Sequence, residues 1–141
     1  MTQNMLGASL KTCHWGYFDA TLPPAMTISS GDEVVINTIS GGPQNLPGAG
    51  FYVPQELLDL HAAGLPTMPG HILTGPVAVQ GAMPGDVLQI DILDVSLRQD
   101  WGFNYLGPLT GTLPQDFPNV HHTIIPLDSE RGIATLPWGL E

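Results

Sequence analysis

Basic side chains are scarce in this sequence. Its 141 residues include 3 Lys and Arg against 13 Asp and Glu, which gives a formal net charge of -10 at pH 7. Lys11, Arg98 and Arg131 are too few to form the basic surface that neutralises phosphate groups. The composition therefore excludes nucleic acid as a partner, and it also disfavours the anionic surface of a membrane.

Long apolar runs and cysteine pairs are lacking as well. No apolar run reaches the roughly 20 residues needed to span a bilayer. The first residues also lack the apolar core of a signal peptide. Cys13 is the single cysteine, so no internal disulfide can form. These features fit a reducing compartment, and the cytoplasm is the expected location.

Glycine and proline, by contrast, are abundant and evenly spread. The chain has 17 Gly and 14 Pro, which interrupt each apolar-alternating stretch after a few residues. This pattern is typical of short strands joined by turns. Hydrophobic residues make up 43% and charged residues 11%, so the chain is not of the disordered, highly charged class. With so few charges, we expect much of the surface to be covered by a partner or by a further part of the same protein.

Period-two alternation predicts several strands, and one segment favours a helix. The clearest strand is predicted over residues 87–95, where Leu88, Ile90 and Ile92 share one face. The helix is expected over residues 54–63, with Gly64 just past its end. Shorter strands are predicted over residues 26–29, 34–38, 77–79, 123–126 and 133–136.

One turn-and-strand pattern occurs twice. Residues 30–37 resemble residues 84–91, because in both a Gly-Asp pair precedes an alternating apolar stretch. Glycine permits the turn, and aspartate bonds to nearby backbone amides. Two such copies favour a mainly β fold, namely a jelly-roll-like antiparallel β-sandwich with one short helix. We expect residues 1–141 to form a single β-rich domain.

His71 is the first candidate catalytic residue. It stands between a Pro-Gly and a Gly-Pro turn, in the stretch over residues 69–76. A histidine held between rigid turns can act as a general base, orient another group or bind a metal. The alternative is a turn histidine that bonds only to the backbone.

A second candidate site lies in residues 98–104, which combine a cation, a carboxylate, two amides and two aromatic rings. Such a mixture can line a pocket for a small polar molecule. Asp100 is the candidate catalytic group of this loop, and Trp101 and Asn104 are the candidates for substrate binding. The alternative is a structural corner with an aromatic anchor and a local Arg98–Asp100 pair.

The other histidines and the cysteine favour structural interpretations. His121 and His122 are adjacent, so in an extended strand they point to opposite faces and cannot easily chelate one ion. His61 is expected in the last turn of the helix, where a protonated imidazole suits the helix dipole. Cys13 precedes His14, but catalytic pairs are neighbours in space, so an incidental thiol is favoured.

Several stretches resemble the acetamidase/formamidase family and follow the family's order along the chain. One is His-Trp-Gly-Tyr-Phe-Asp-Ala over residues 14–20, and another is Pro-Gly-His-Ile-Leu-Thr-Gly-Pro-Val-Ala-Val over residues 69–79. The further stretches are residues 81–82, 84–88, 97–102 and 136–139. Each is short, but together they cover nearly the whole chain and are specific in combination.

The resemblance implies hydrolysis of short aliphatic amides, such as formamide or acetamide, to a carboxylic acid and ammonia. It gives Cys13 no nucleophilic role. Family members are typically longer. Their polar motifs His-Gly-Gly-Asn-Met/Leu-Asp and Gly-Asp-x-His-Ala-x-Gln-Gly-Asp-Gly-Glu, from the second half, do not occur here. The resemblance therefore implies the N-terminal part of such an enzyme, in which His71 and residues 98–104 form one wall of a shared active site.

The resemblance also bears on cofactor and partners. The cofactor stays unknown, and a divalent metal would be held mainly by the missing C-terminal half. The expected partners are a small amide substrate and either further copies of the chain, as a homo-oligomer, or that C-terminal half.

Two other functions stay open. A carbohydrate-type ligand-binding β-sandwich would use exposed rings, such as Trp101 or Trp138, in a shallow groove. An assembly domain would present a large exposed apolar face without a polar pocket.

Overall fold

The computed structural model describes residues 4–64 and 70–141. The chain forms two compact units. Unit 1 comprises Met1–Gly42 and Pro54–Asp91, and unit 2 comprises Pro43–Val53 and Ile92–Glu141. The expectation of a single domain over residues 1–141 stays a prediction.

Unit 1 consists of three strand pairs and a helix. β1 pairs in parallel with β4, β2 pairs antiparallel with β5, and β3 pairs in parallel with β6. The elements are β1 (Asn4–Leu6), β2 (Cys13–Trp15), β3 (Met26–Ile28), β4 (Val34–Ile36), α1 (Gln55–Ala62), β5 (Ile72–Thr74) and β6 (Val77–Val79). All the strands are three residues long because a glycine, proline or turn comes soon after each of them.

The helix α1 forms where the sequence predicts it. Pro54 is the N-cap, and the helix ends before Gly64, whose φ of +63° places it in the left-handed region. Leu57 and Leu60 are fully buried, whereas Leu58 is exposed. An eight-residue helix is marginal alone, so burial of this leucine side stabilises it. His61 Nε2 donates a hydrogen bond to Gly41 O at 3.0 Å, which ties the last turn to unit 1.

The two copies of the repeated pattern form the same turn. In the first copy, Asp32 Oδ2 accepts a hydrogen bond from Ser29 N at 2.8 Å. In the second, Asp86 Oδ2 accepts one from Met83 N, also at 2.8 Å. Gly31 and Gly85, the residues before these aspartates, have φ values of +88° and +102°. The internal repeat is therefore a repeat of geometry as well as of sequence.

Unit 2 is built around one antiparallel three-stranded sheet. Its strands are β7 (Trp101–Leu106), β8 (His121–Asp128) and β9 (Ile133–Ala134), in the order β7-β8-β9. A short 3-10 turn over Pro43–Asn45 belongs to the same unit. In this sheet Tyr105 lies opposite His122 and Leu106 lies opposite His121. The two histidines therefore point to opposite faces, as the sequence indicates.

The clearest predicted strand, over residues 87–95, is not a strand of the structure. No β-ladder includes any of these residues in the described part of the chain, and their side chains are exposed. The alternation is present in the sequence, but a strand also needs a neighbour for its backbone hydrogen bonds. Here the described residues provide none.

The fold class is confirmed as mainly β with one helix in the described residues. The antiparallel arrangement holds for β2–β5 and for unit 2, whereas β1–β4 and β3–β6 are parallel. The buried apolar side chains of unit 1 include Leu6, Cys13, Trp15, Ile39, Pro54, Leu57, Leu60 and Ile72. A membrane-spanning helix, which would need a long apolar stretch, is not found among the described residues.

Candidate active site

The pairing of β2 with β5 joins two stretches that lie far apart in the sequence. Trp15 is opposite Ile72 in the ladder, and Gly16 N donates a hydrogen bond to His71 O at 3.0 Å. Beside it, Trp15 Nε1 donates to Gly70 O at 2.9 Å. The backbone on both sides of His71 is thus fixed by hydrogen bonds from the segment around Trp15.

This junction requires glycine at position 70. A Cβ atom placed on Gly70 would lie 3.1 Å from the Cα atom of Gly16, which is closer than ordinary packing permits. The φ of Gly70, +137°, is also one that other residues rarely adopt. Gly70, just before His71, therefore allows two backbones to approach closely, and this approach sets the position of the histidine.

His71 and His14 lie on the same side of this strand pair. Trp15 and Ile72 are buried, and side chains alternate along each strand, so the residues next to them face the other way. Among the described residues, no hydrogen-bond partner is found for the His71 imidazole, which is exposed. The ring of Tyr17 lies 5.2 Å from that of His14, measured between centroids. His14 and His71 therefore share one side of the strand pair, and the ring of Tyr17 lies beside that of His14.

Asp19 closes the same segment with a tight turn. Its Oδ1 accepts hydrogen bonds from Thr21 Oγ1 at 2.7 Å and from Thr21 N at 2.8 Å. These two donors, the hydroxyl first, lower the pKa of the Asp19 carboxyl below its ordinary value of 3.8. Asp19 is therefore held as a carboxylate, which suits a structural turn.

Asp100 and Trp101 hold the backbone of Tyr52 from both sides. Asp100 Oδ1 accepts a hydrogen bond from Tyr52 N at 3.0 Å, and Trp101 Nε1 donates one to Tyr52 O at 2.8 Å. The Trp101 side chain is only 1% exposed, and its indole packs 6.4 Å from the ring of Phe103. This geometry gives both residues a positioning role within unit 2.

Asn104 lies on the other face of β7 and is exposed. It lines a surface cavity of about 320 Å³ together with Tyr105, Thr110, Thr112 and Phe117. The cavity offers amide and hydroxyl groups beside an aromatic ring, a combination suited to a small polar molecule. A larger cavity of about 540 Å³, lined by residues such as Leu97, Leu127 and Ser129, contains no titratable side chain.

The predicted site residues are divided between the two units. His71 belongs to unit 1, whereas Asp100, Trp101 and Asn104 belong to unit 2. Their predicted roles in a common active site stay predictions. Within the described residues, no three His, Cys, Asp or Glu side chains are grouped so that they could hold a metal ion. The described residues thus do not fit a self-contained metal centre.

The sequence alone did not predict that His14, with Tyr17 beside it, lies on the same side of the strand pair as His71. The signal was present, because residues 14–20 and 69–79 are both stretches that resemble the family. What was missing was the pairing of β2 with β5. His122 is a further case, since its ring lies 6.2 Å from Phe103 and 6.4 Å from Tyr105.

The structure defines a mainly β protein with an exposed histidine edge in one unit and a polar cavity in the other. The acetamidase/formamidase family model matches residues 8–131. The chain is similar to the formamidase of Methylophilus methylotrophus, with 46% identity over 59 residues, which is 38% of this chain and 14% of that protein. No solved structure matches the chain.

The family match spans most of the chain and includes the paired segments of β2 and β5 as well as residues 98–104. The chain therefore belongs to the acetamidase/formamidase family. The resemblance identified in the sequence is confirmed. The aligned stretch spans only 14% of the length of the formamidase.

Proposed function

We propose that this chain takes part in the hydrolysis of short aliphatic amides, such as formamide and acetamide, to a carboxylic acid and ammonia. It supplies part of the active site, and the rest comes from the C-terminal half of the family's chain or from another copy. The observation that carries the proposal is the family match over residues 8–131. The formamidase relative supports the same reaction class. We place this reaction in the cytoplasm.

The reaction sets the groups that the complete site has to supply. Water adds to the amide carbonyl carbon and loses a proton to a base, while donors stabilise the oxyanion. The tetrahedral intermediate then breaks its C–N bond, and an acid gives a proton to the departing nitrogen. The products are the carboxylic acid and ammonia.

His71 is the proposed base of this chain. Its backbone is fixed by Gly16 and its imidazole is exposed, so it can meet a substrate held by a further segment. A neutral imidazole is suited to accept a proton from water near neutral pH. His14 lies on the same side of the strand pair and, with Tyr17 beside it, is the candidate to orient the water.

Asp100 and Trp101 are proposed to act mainly by fixing the loop at Tyr52. The nearly complete burial of Trp101 favours positioning over stacking on a substrate. Asn104 is the proposed substrate-binding group, because its carboxamide lines an open cavity. An amide substrate can donate its N–H groups to the Asn104 carbonyl oxygen and accept a hydrogen bond from its NH2 group.

The two rival functions differ in their support. A carbohydrate-type binding surface needs several exposed rings, but Trp15 and Trp101 are buried, and Trp138, at 73% exposure, is the exposed tryptophan. An assembly role is compatible with amide hydrolysis, because many large apolar side chains of the described residues are exposed.

Ammonia release from formamide and acetamide tests the proposal. We expect no turnover by the 141-residue chain alone, and turnover when the chain is joined to the C-terminal half of the Methylophilus methylotrophus formamidase. In the active form, His71→Ala should reduce kcat by at least about 100-fold. His121→Ala, which changes another exposed histidine, is the matched control and should retain activity.

Three results would contradict parts of this proposal. Turnover by the chain alone would disprove the shared site. Full activity of the His71→Ala form would remove His71 from catalysis. Absence of amide turnover in a well-folded, joined form would exclude the reaction class.

A further inference from the structure

The cavity that Asn104 lines is formed within unit 2 alone. Its lining comes from one continuous stretch of chain, namely the end of β7 and the loop that follows it. In the order β7-β8-β9, β7 is an edge strand of the described sheet. Alternate residues of an edge strand direct their backbone N–H and C=O groups to its open side. The cavity is therefore built from an edge strand and from its own connecting loop.

Local contacts hold this loop in place. Thr110 Oγ1 accepts a hydrogen bond from Gly107 N at 2.9 Å and donates one to Gly107 O at 2.6 Å. Within this turn Leu109 has a φ of +60°, a left-handed conformation that leucine keeps only where its surroundings hold it. The Tyr105 ring packs against the same turn, because a Cβ atom on Gly107 would lie 3.1 Å from its Cε1 atom. The wall of the cavity is therefore largely preformed, as in most small-molecule sites.

The lining combines hydrogen-bonding groups with apolar side chains. Asn104 and Thr112 supply a carboxamide and a hydroxyl group, and neither side chain has a hydrogen-bond partner among the described residues. Leu106, Leu113 and Phe117 supply apolar surface, and the last two are 56% and 47% exposed. An alkyl group that enters the cavity buries part of this surface, which favours binding.

The charge of the lining indicates a neutral ligand. The residues that line the cavity include no carboxylate and no basic side chain. Asp116 directly precedes Phe117, and the whole chain has a net charge of -10. A carboxylate would find no cation in this cavity and would be repelled by the charge of the chain, whereas an amide carries no charge. The cavity therefore favours an amide over the carboxylate that its hydrolysis forms.

The size of the cavity narrows the ligand further. Its volume of about 320 Å³ is at the lower end of the range for small-molecule sites. Formamide has no carbon beyond its carbonyl group, so it would leave the apolar wall uncovered. Propionamide or butyramide can place alkyl carbons against Leu113 and Phe117 while its carboxamide meets that of Asn104.

We infer that this cavity is a selective binding site for neutral aliphatic amides with a short alkyl chain. The Asn104 side chain donates through its NH2 group to the ligand carbonyl oxygen and accepts a hydrogen bond from the ligand N–H group. Leu113 and Phe117 determine which alkyl group is preferred. The choice of ligand rests on the proposed amide hydrolysis, and the site adds to it a preference for longer acyl chains and a means to release the acid product.

NMR titration of the 15N-labelled 141-residue chain measures this binding without any turnover. The probes are formamide, acetamide, propionamide and butyramide, with butyrate as the charged counterpart. We expect shifts of the Asn104 side-chain NH2 signals and of the backbone amides of Thr112 and Phe117. Affinity should rise about threefold with each added CH2 group. Butyrate should give no saturable shift.

Two substitutions separate the roles of the apolar wall and the carboxamide. Phe117→Ala should weaken butyramide binding at least about fivefold and change formamide binding little, because only the alkyl chain contacts the ring. Asn104→Asp replaces an NH2 donor with a carboxylate and should weaken all the amides about tenfold.

Matched controls exist for both changes. Phe18→Ala removes another exposed phenylalanine, which belongs to unit 1. Asn119→Asp adds the same charge at an exposed position outside the cavity lining. Both control variants should bind the amides like the parent chain.

Kinetics of the form joined to the C-terminal half of the Methylophilus methylotrophus formamidase give a second readout. Phe117→Ala should raise the KM for butyramide about threefold more than that for acetamide, with kcat unchanged. A variant that is only less well folded would lower the rates with both substrates equally. The split between KM and kcat therefore reports on the cavity.

Several outcomes would overturn the inference. They are equal affinity for formamide and butyramide, saturable binding of butyrate, shifts confined to residues outside the cavity, and unchanged affinity of Phe117→Ala. Amide binding in the cavity without ammonia release in the joined form would support this site and contradict the proposed reaction. Ammonia release without amide binding in the cavity would do the reverse, so the two failures are distinguishable.

Discussion

At the scale of single residues, the contacts of Tyr52 explain why residues 98–104 carry such a mixed set of side chains. Tyr52 comes from the short segment Pro43–Val53, and its backbone N and O are both bonded by neighbours in unit 2. A carboxylate receives the N–H group and an indole satisfies the carbonyl group. The mixture of charge and aromatic ring thus has a local structural purpose besides any role in substrate binding.

Substitutions of Asp100 separate these two roles. Asp100→Ala removes the acceptor for Tyr52 N and should lower the free energy of unfolding by about 1 kcal/mol. Asp100→Asn keeps an oxygen in that place and should cost less. The measurement is urea denaturation of both variants, with ammonia release in the joined form. If the Asn variant keeps its stability but loses activity, Asp100 acts in catalysis, and if it keeps both, Asp100 is a positioning residue.

The turn at Asp19 predicts a titration. Because the Thr21 donors favour the carboxylate, the folded pKa of Asp19 is lower than its unfolded pKa. The stabilisation is therefore present above the unfolded pKa and is lost as pH falls through the lower, folded value. Thr21→Val removes the hydroxyl donor and should raise the pKa of Asp19, as followed by NMR of its carboxyl carbon. An unchanged midpoint would contradict this assignment, and Thr27→Val serves as a control outside the turn.

At the scale of elements, the same turn precedes two segments, and only the first of them forms a strand in the described residues. The turn geometry is local, because an aspartate oxygen bonds an amide three residues earlier and a glycine takes the positive φ. A strand, in contrast, needs another segment for its hydrogen bonds. The repeat therefore reproduces the turn in both copies, while pairing depends on what lies beside each copy.

The equivalent turns should respond alike to the same change. Gly31→Ala and Gly85→Ala each force a side chain onto a residue with a strongly positive φ, although a Cβ would meet no atom within 4 Å. Each substitution should cost roughly 1–2 kcal/mol from backbone strain alone. Gly7→Ala is the control, because Gly7 has neither a positive φ nor a close neighbour, and it should change stability little. Urea denaturation measures all three. A negligible effect at Gly85 would show that the second turn is not held in the chain alone.

At the scale of the whole molecule, exposed apolar groups coexist with a large negative charge. Side chains such as Phe18, Val87 and Leu109 are almost fully exposed. At pH 7 the net charge of -10 makes separate copies repel one another. The charge thus opposes an association that the apolar surface favours.

Association should therefore depend strongly on pH and salt. Near the pI of about 4.5 the net charge approaches zero, so static light scattering should rise there. At pH 7 the chain should scatter less, and added salt should increase association by screening the charges. Scattering that is independent of both pH and salt would contradict this balance of forces. Leu88→Lys with Ile90→Lys removes two exposed apolar side chains and should reduce association at pH 4.5.

The sequence by itself determined the local features of this protein. The helix, its glycine stop, both Gly-Asp turns and the strands β3, β4, β6, β8 and β9 result from backbone preferences and alternation, which act over a few residues. The scarcity of basic residues and the family resemblance likewise follow from the sequence alone. These predictions succeeded because their physical causes lie within the segments themselves.

Only the tertiary structure decided the features that depend on distant segments. It paired β2 with β5, so that His14 and His71 share one side, and it placed Trp101 in the core of unit 2 rather than on its surface. It also placed residues 87–95 outside every ladder of the described part of the chain, although they alternate more clearly than any other segment. Alternation specifies which side chains share a face. Whether another strand completes the backbone hydrogen bonds depends on the neighbouring segments. Tertiary packing sets the positions of those segments.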